Sequence, residues 1–154
     1  MSEHHASLRW RRTSADFLYD TYNRAHELIF NKGQIVVPAS AAPAFKGDID
    51  RVDPEEAFVG ALASCHMLTF LAICARKRIV VDTYEDDAVG VMEKNANGKL
   101  WVSRVTLRPR ITFASGTAPG AAVLADIHHK SHEECFIANS VKTDVSVLPH
   151  SPAN

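Results

Sequence analysis

The longest apolar run in the chain lies between Ala57 and Ala75 and is bounded by charge on both sides. Asp53 precedes it with a side chain that can accept from the free amides of a first helical turn. Pro54 suits the first helical position, where its missing N–H would have no partner. Glu55 and Glu56 set negative charge at the positive end of a helix dipole, and Arg76, Lys77 and Arg78 set positive charge at the other end. The pattern predicts a helix from Asp53 to Lys77. It is apolar or small on every face, as in a helix buried at the centre of a domain or one that crosses a membrane. The run is long enough to span a bilayer. Gly60, Ser64, His66 and Thr69 interrupt it, however, and a chargeable His66 at mid-bilayer would be costly. The expectation is a buried central helix, with no membrane partner.

The flanks alternate as strands do. Residues 1–6 read as a loose terminus. Leu8 and Trp10 alternate with Arg9 and Arg11, Arg24 to Phe30 reads as a second strand, and Gln34 to Val37 follows a turn at Asn31-Lys32-Gly33. Pro38 to Val52 reads as a loop. Beyond the helix, Ile79 to Asp82 is a link or short strand and Tyr84 to Lys94 a strand. Asn97-Gly98 supplies the positive-φ positions of a hairpin turn. Leu100 to Phe113 returns as one long strand, in which Pro109 marks an edge or a bulge. A second helix is expected from about Pro119 to Ala138, with Leu124, Ile127, Ser131, Cys135 and Ala138 on one stripe. Ser140 to Leu148 closes as a strand, and residues 149–154 form a loose tail. The order predicts a single α+β domain over residues 1–154, with antiparallel sheets and two main helices. One other helix and a few strands give little cover for an all-apolar central helix. A partner subunit is the simplest remedy.

Composition narrows the function. The chain has 154 residues, a formal net charge of -1 and a pI near 6.7, which gives no basic surface for nucleic acid. Its three cysteines, Cys65, Cys74 and Cys135, are too few and odd in number for a secreted disulfide framework. The polar start Met1-Ser2-Glu3-His4-His5 does not resemble a signal peptide. The expected compartment is a reducing cytoplasm, where a disulfide is more often chemical than structural.

Cys65 and Cys135 each fall on a predicted helix. Taken alone, each reads as a small buried hydrophobe. If the two helices pack, the sulfurs could also meet and form a reversible disulfide. Cys74, nearly opposite Cys65 on the first helix, reads as core. A rival reading is metal binding. His128, His132 and Cys135 share one helical face, and His129, Cys65 and His66 could add ligands. Thiolate and imidazole suit zinc, but no CxxC or HExxH pattern supports it, so no metal or other cofactor is expected. A third reading is a non-catalytic dimeric binding module with inert thiols.

Two segments together resemble the OsmC/Ohr family. The first is Pro54-Glu55-Glu56-Ala57-Phe58-Val59-Gly60-Ala61-Leu62-Ala63-Ser64-Cys65, and the second His132-Glu133-Glu134-Cys135-Phe136-Ile137-Ala138-Asn139-Ser140. The resemblance covers roughly residues 8–148. It implies an OsmC-like fold, an intertwined homodimer with its sites at the subunit interface, and a thiol-dependent peroxidase that reduces organic hydroperoxides and, in some branches, hydrogen peroxide. Cys65 matches the peroxidatic cysteine and Cys135 the resolving one. A dithiol, lipoyl or thioredoxin-like, would be the reductant. Phe58, Leu62, Met67 and Phe136 could line a greasy entrance, although core is the plainer reading for most of them.

Only a thiolate attacks a peroxide, and a free cysteine is mostly protonated at neutral pH. Cys65 lies about 15 Å along the axis from Glu55, too far for the helix N-terminus to ionise it. Burial would oppose ionisation, so a cation is needed, and arginine stays charged. The resemblance implies an Arg from the N-terminal strands held by the motif's Glu. Glu55 matches that Glu. Arg24 is the best match for the Arg, with Arg9, Arg11, Arg12 and Arg51 also available. The same 15 Å implies that Glu55 serves the Cys65 of the partner subunit. His66 stands where the Ohr branch commonly has an aromatic residue, and reads either as a perturber of Cys65 or, more plainly, as a hydrogen-bonded core histidine; the Pro38–Val52 loop also differs. Both departures point to a separate OsmC-like branch.

Overall fold

The computed structural model describes residues 1–149; residues 150–154, and with them most of the tail expected from 149 onward, lie outside the described residues. The chain forms two compact units, Met1–Ala57 and Phe58 onward.

In the first unit, β1 (Ser7–Arg9), β2 (His26–Phe30) and β3 (Ile35–Ala39) form an antiparallel sheet in that order. The β2–β3 turn runs through three positive φ angles, at Asn31, Lys32 and Gly33. Asn and Gly tolerate this conformation, which explains why the turn lies there. β3 runs past Pro38, a residue without an amide donor that an edge strand accommodates. The expected loop from Pro38 to Val52 contains a single 3-10 turn at Pro43–Phe45.

The central helix, α1, spans Pro54–Arg76. Its start is a reciprocal cap. Asp53 Oδ1 accepts from the Glu56 amide at 2.7 Å, and Glu56 Oε2 accepts from the Asp53 amide at 3.2 Å. It ends where Arg78 turns left-handed at φ 59 and the Ile79 amide reaches back to the Cys74 carbonyl at 2.9 Å. The expectation that this helix is buried all round does not hold within one chain. Leu62, His66, Phe70, Ile73 and Cys74 are buried on one stripe, while Ala57, Ala61, Ser64, Leu68, Ala72 and Ala75 are exposed.

The second unit continues with β4 (Val81–Asp86), β5 (Val89–Lys94), β6 (Leu100–Leu107), β7 (Pro109–Phe113), α2 (Ala121–Glu133) and β8 (Asp144–Val147). The two long strands expected here are each broken. One parts between Asp86 and Val89, the other at Arg108 before Pro109. At these breaks the chain changes sheets, because β4 pairs with β7 while β5 pairs with β6. The sheets are antiparallel except for β8, which runs parallel to β6 after the crossover through α2. Asn95 Oδ1 accepts from the amides of Asn97 and Lys99, and Gly98 sits at φ 73, so the β5–β6 turn is where its residues place it.

α1 contributes to two apolar clusters. Phe70, Ile73 and Cys74 pack with Ile127 of α2, flanked by Tyr84, Ile111 and Phe113. Leu62 packs with Val105 and Leu107 of β6, flanked by Val145 and Val147 of β8.

Candidate active site

Cys65 sits in the middle of α1, half-buried. Thr69, one turn on, donates to its carbonyl at 3.0 Å. Cys135 is not inside the second helix as expected. α2 stops at Glu133, and Cys135 occupies the turn that follows. The Glu134 amide closes the helix on the Lys130 carbonyl at 2.9 Å. Asn139 then donates to the Glu133 carbonyl at 2.7 Å and to the Cys135 carbonyl at 3.0 Å. The first bond satisfies a carbonyl that the helix leaves open and the second closes the turn that replaces another helical one.

The turn sets Cys135 beside Cys65, near enough for the one thiol to affect the other. The Cys135 thiol is buried and accepts from the Ala138 amide at 3.4 Å. Its pKa is pushed up, first by burial and then by the neighbouring Cys65. Cys74 is buried in the core beside Phe70 and Ile73, and burial raises its pKa as well.

His66 is the hydrogen-bonded core histidine expected, but its partner, His128, is one the sequence did not reveal. His66 and His128 are both buried, and their rings lie nearly parallel with Nε2 of one 3.1 Å from Nδ1 of the other. Phe70, one turn beyond His66, stacks on His128 with ring centroids 4.6 Å apart. Burial drives the pKa of each imidazole down to about 4, and for His66 the neighbouring His128 and His132 add to the effect. The rings serve each other, and no group of three or more His, Cys, Asp or Glu side chains among the described residues could hold a metal.

Arg24 and Glu55 belong to the first unit. The Arg24 guanidinium donates to the carbonyls of Tyr19 and Tyr22, at 2.7 and 3.0 Å, and lies over the Tyr22 ring at 4.1 Å. One carboxylate oxygen of Glu55 is buried without a hydrogen-bond partner among the described residues. The two side chains form no ion pair with each other within one chain. Arg9 pairs with Glu27 and Arg51 with Asp48, both at 3.3 Å. Of the expected entrance residues, Leu62 is core, Phe58 and Met67 are half-buried and Phe136 is 82% exposed. Phe58 also borders a shallow depression of about 350 Å³ with Trp101 and Lys142.

An α+β fold with two helices and a half-buried cysteine on the central one narrows the class, and comparison with known proteins identifies it. Residues 46–148 match the OsmC-like protein family. An OsmC-like protein of unknown function from Vibrio cholerae shares 44% identity over 97% of this chain and 100% of its own, with a TM-score of 0.91. The chain belongs to the OsmC-like family. The organic hydroperoxide resistance protein OhrB of Bacillus subtilis has the same fold at 15% identity, with a TM-score of 0.70 over 97% of this chain and 98% of its own. So does an organic hydroperoxide resistance protein from Legionella pneumophila, at 14% identity and a TM-score of 0.72 over 99% and 98% of the two chains. No curated protein matches the chain.

Proposed function

We propose that the protein is a cytoplasmic thiol peroxidase that reduces organic hydroperoxides. The observation that carries this reading is the buried Cys135 thiol next to half-buried Cys65, whose neighbourhood raises the Cys135 pKa. The Cys65 thiolate attacks the terminal peroxide oxygen. The O–O bond breaks, the alkoxide leaves and takes a proton to become alcohol, and Cys65 becomes a sulfenic acid. The Cys135 thiol displaces that hydroxyl. An S–S bond forms and the hydroxyl departs with the thiol proton as water. A dithiol, lipoyl or thioredoxin-like, then reduces the disulfide by exchange. Half-buried Cys65 suits the peroxide-reactive role because a substrate must reach it. Buried Cys135 suits a thiol that reacts only with its neighbour.

The active form in this proposal is a homodimer. The exposed face of α1, with Leu68 at its centre between small residues, supports it, since such a face lets another surface approach closely. Arg24 keeps Cys65 ionised, and Glu55, with its buried unpartnered oxygen, holds the guanidinium of the site formed with the partner subunit. The test is peroxide consumption with a dithiol reductant by wild type, Cys65→Ser and Cys135→Ser. The proposal expects Cys65→Ser to be inactive and Cys135→Ser to halt after one turnover. Activity that survives Cys65→Ser overturns it, and thiols untouched by one equivalent of cumene hydroperoxide favour a binding module instead.

A further inference from the structure

The buried imidazoles have no part in that cycle, yet they occupy the core next to it. Two histidines in an apolar interior are expensive relative to a leucine pair of similar size. Their geometry accounts for only half of their hydrogen-bonding capacity. One ring must donate and the other accept across the 3.1 Å contact. Whichever way the proton lies, His66 Nδ1 and His128 Nε2 remain buried without partners among the described residues. The pair is therefore held together by a single directional bond.

That bond joins the two segments that carry the cysteines. His66 follows Cys65 directly on α1, and His128 lies on α2 seven residues before Cys135, with Ser131 between them on the same stripe. The remaining α1–α2 contact is apolar, through Phe70, Ile73, Cys74 and Ile127. Apolar packing is non-directional and tolerates small axial slips. A hydrogen bond in a dry core does not, because a slip strands both of its partners. A lone polar residue among apolar core positions sets register in coiled coils for the same reason.

We propose that His66 and His128 are a positioning pair: their mutual hydrogen bond fixes the register of α1 against α2 and so holds the Cys65 and Cys135 sulfurs in line for disulfide formation. This rests on the proposed redox pairing of the two cysteines. It deepens that reading by naming residues that touch neither peroxide nor sulfur.

The test replaces peroxide with a glutathione buffer. Cys65 and Cys135 thiols exchange with oxidised glutathione to give the intramolecular disulfide and two reduced glutathiones, and the equilibrium constant is read by mass after alkylation. A chain that fails to consume peroxides leaves this reading intact, so the two ideas fail separately. In His128→Gln an amide can still bond to His66, and the constant is expected within about threefold of wild type. The double variant His66→Leu/His128→Leu leaves no buried imidazole stranded and is expected to fold. Its constant is expected to fall tenfold or more, with far-ultraviolet dichroism unchanged. A double variant that keeps the wild-type constant, or a glutamine variant that loses as much as the double one, overturns the proposal.

Discussion

Gly90 of β5 leaves the space that Val59 of α1 fills: a Cβ at Gly90 would lie 2.5 Å from Val59 Cγ2 and 3.5 Å from Val102 Cγ1. Val59 is short and β-branched and cannot swing aside as a long side chain would. Gly90→Ala is expected to destabilise the protein by about 1–3 kcal/mol through overpacking. Val59→Ala in the same chain should recover much of that loss, since the two changes share one volume. Urea unfolding of the four members of this cycle is the check, and additive effects would show that the contact is not what limits position 90.

Acid should weaken the fold through the histidine pair. Both rings titrate near 4 when folded, against 6.5 for an ordinary imidazole. Between those values the unfolded chain binds protons that the folded one refuses, so stability is full above about pH 6.5 and falls as pH drops towards 4. The loss is at most roughly 3 kcal/mol per ring. Chemical denaturation from pH 7.5 to 4.5 should show a steeper decline in wild type than in the His66→Leu/His128→Leu variant, which lacks the titrating rings. Parallel declines would contradict the low pKa values.

The three thiols should label in a fixed order. Cys65 is half-buried, whereas Cys74 and Cys135 are buried with raised pKa values. Iodoacetamide at neutral pH should modify Cys65 first in the reduced protein, with Cys74 and Cys135 at least tenfold slower. Peptide mass mapping over time reads the order. Faster labelling of Cys135 would place it in an open environment.

Asn139 ties down the Cys135 turn through the carbonyls of Glu133 and Cys135. Asn139→Ala is expected to cost about 1–2 kcal/mol. It should also slow disulfide formation between Cys65 and Cys135, because the resolving segment loses its anchor. Formation of the disulfide at the wild-type rate, measured in stopped-flow, would remove Asn139 from any part in the chemistry.

The first helix was the most legible element. Asp53, Pro54, the acidic first turn and the basic last turn are local signals, and the structure begins and ends α1 within a residue or two of them. The Asn97-Gly98 turn was legible for the same reason. The breaks at Asp87 and Arg108 were not, because a strand that changes sheets keeps its alternation and only its partners change. The stripe Leu124, Ile127, Ser131, Cys135 has helical spacing, which predicts a helix running through Cys135. Asn139, four residues further on, ends the helix through its side chain, and periodicity does not register that. The His66–His128 contact joins positions 62 residues apart with no shared motif. What the sequence did hold was the stripe that puts His128, Ser131 and Cys135 on one side of α2.

The path of the chain between sheets has a consequence for melting. α1 supplies Leu62 to one apolar cluster and Phe70, Ile73 and Cys74 to the other, and the β6–β7 stretch likewise gives Val105 and Leu107 to one and Ile111 and Phe113 to the other. Neither cluster can dissolve while the other keeps these two rods of backbone in place. From Phe58 onward the protein should come apart as one cooperative body, and amide hydrogens beside Leu62 and beside Phe70 should exchange through the same opening event.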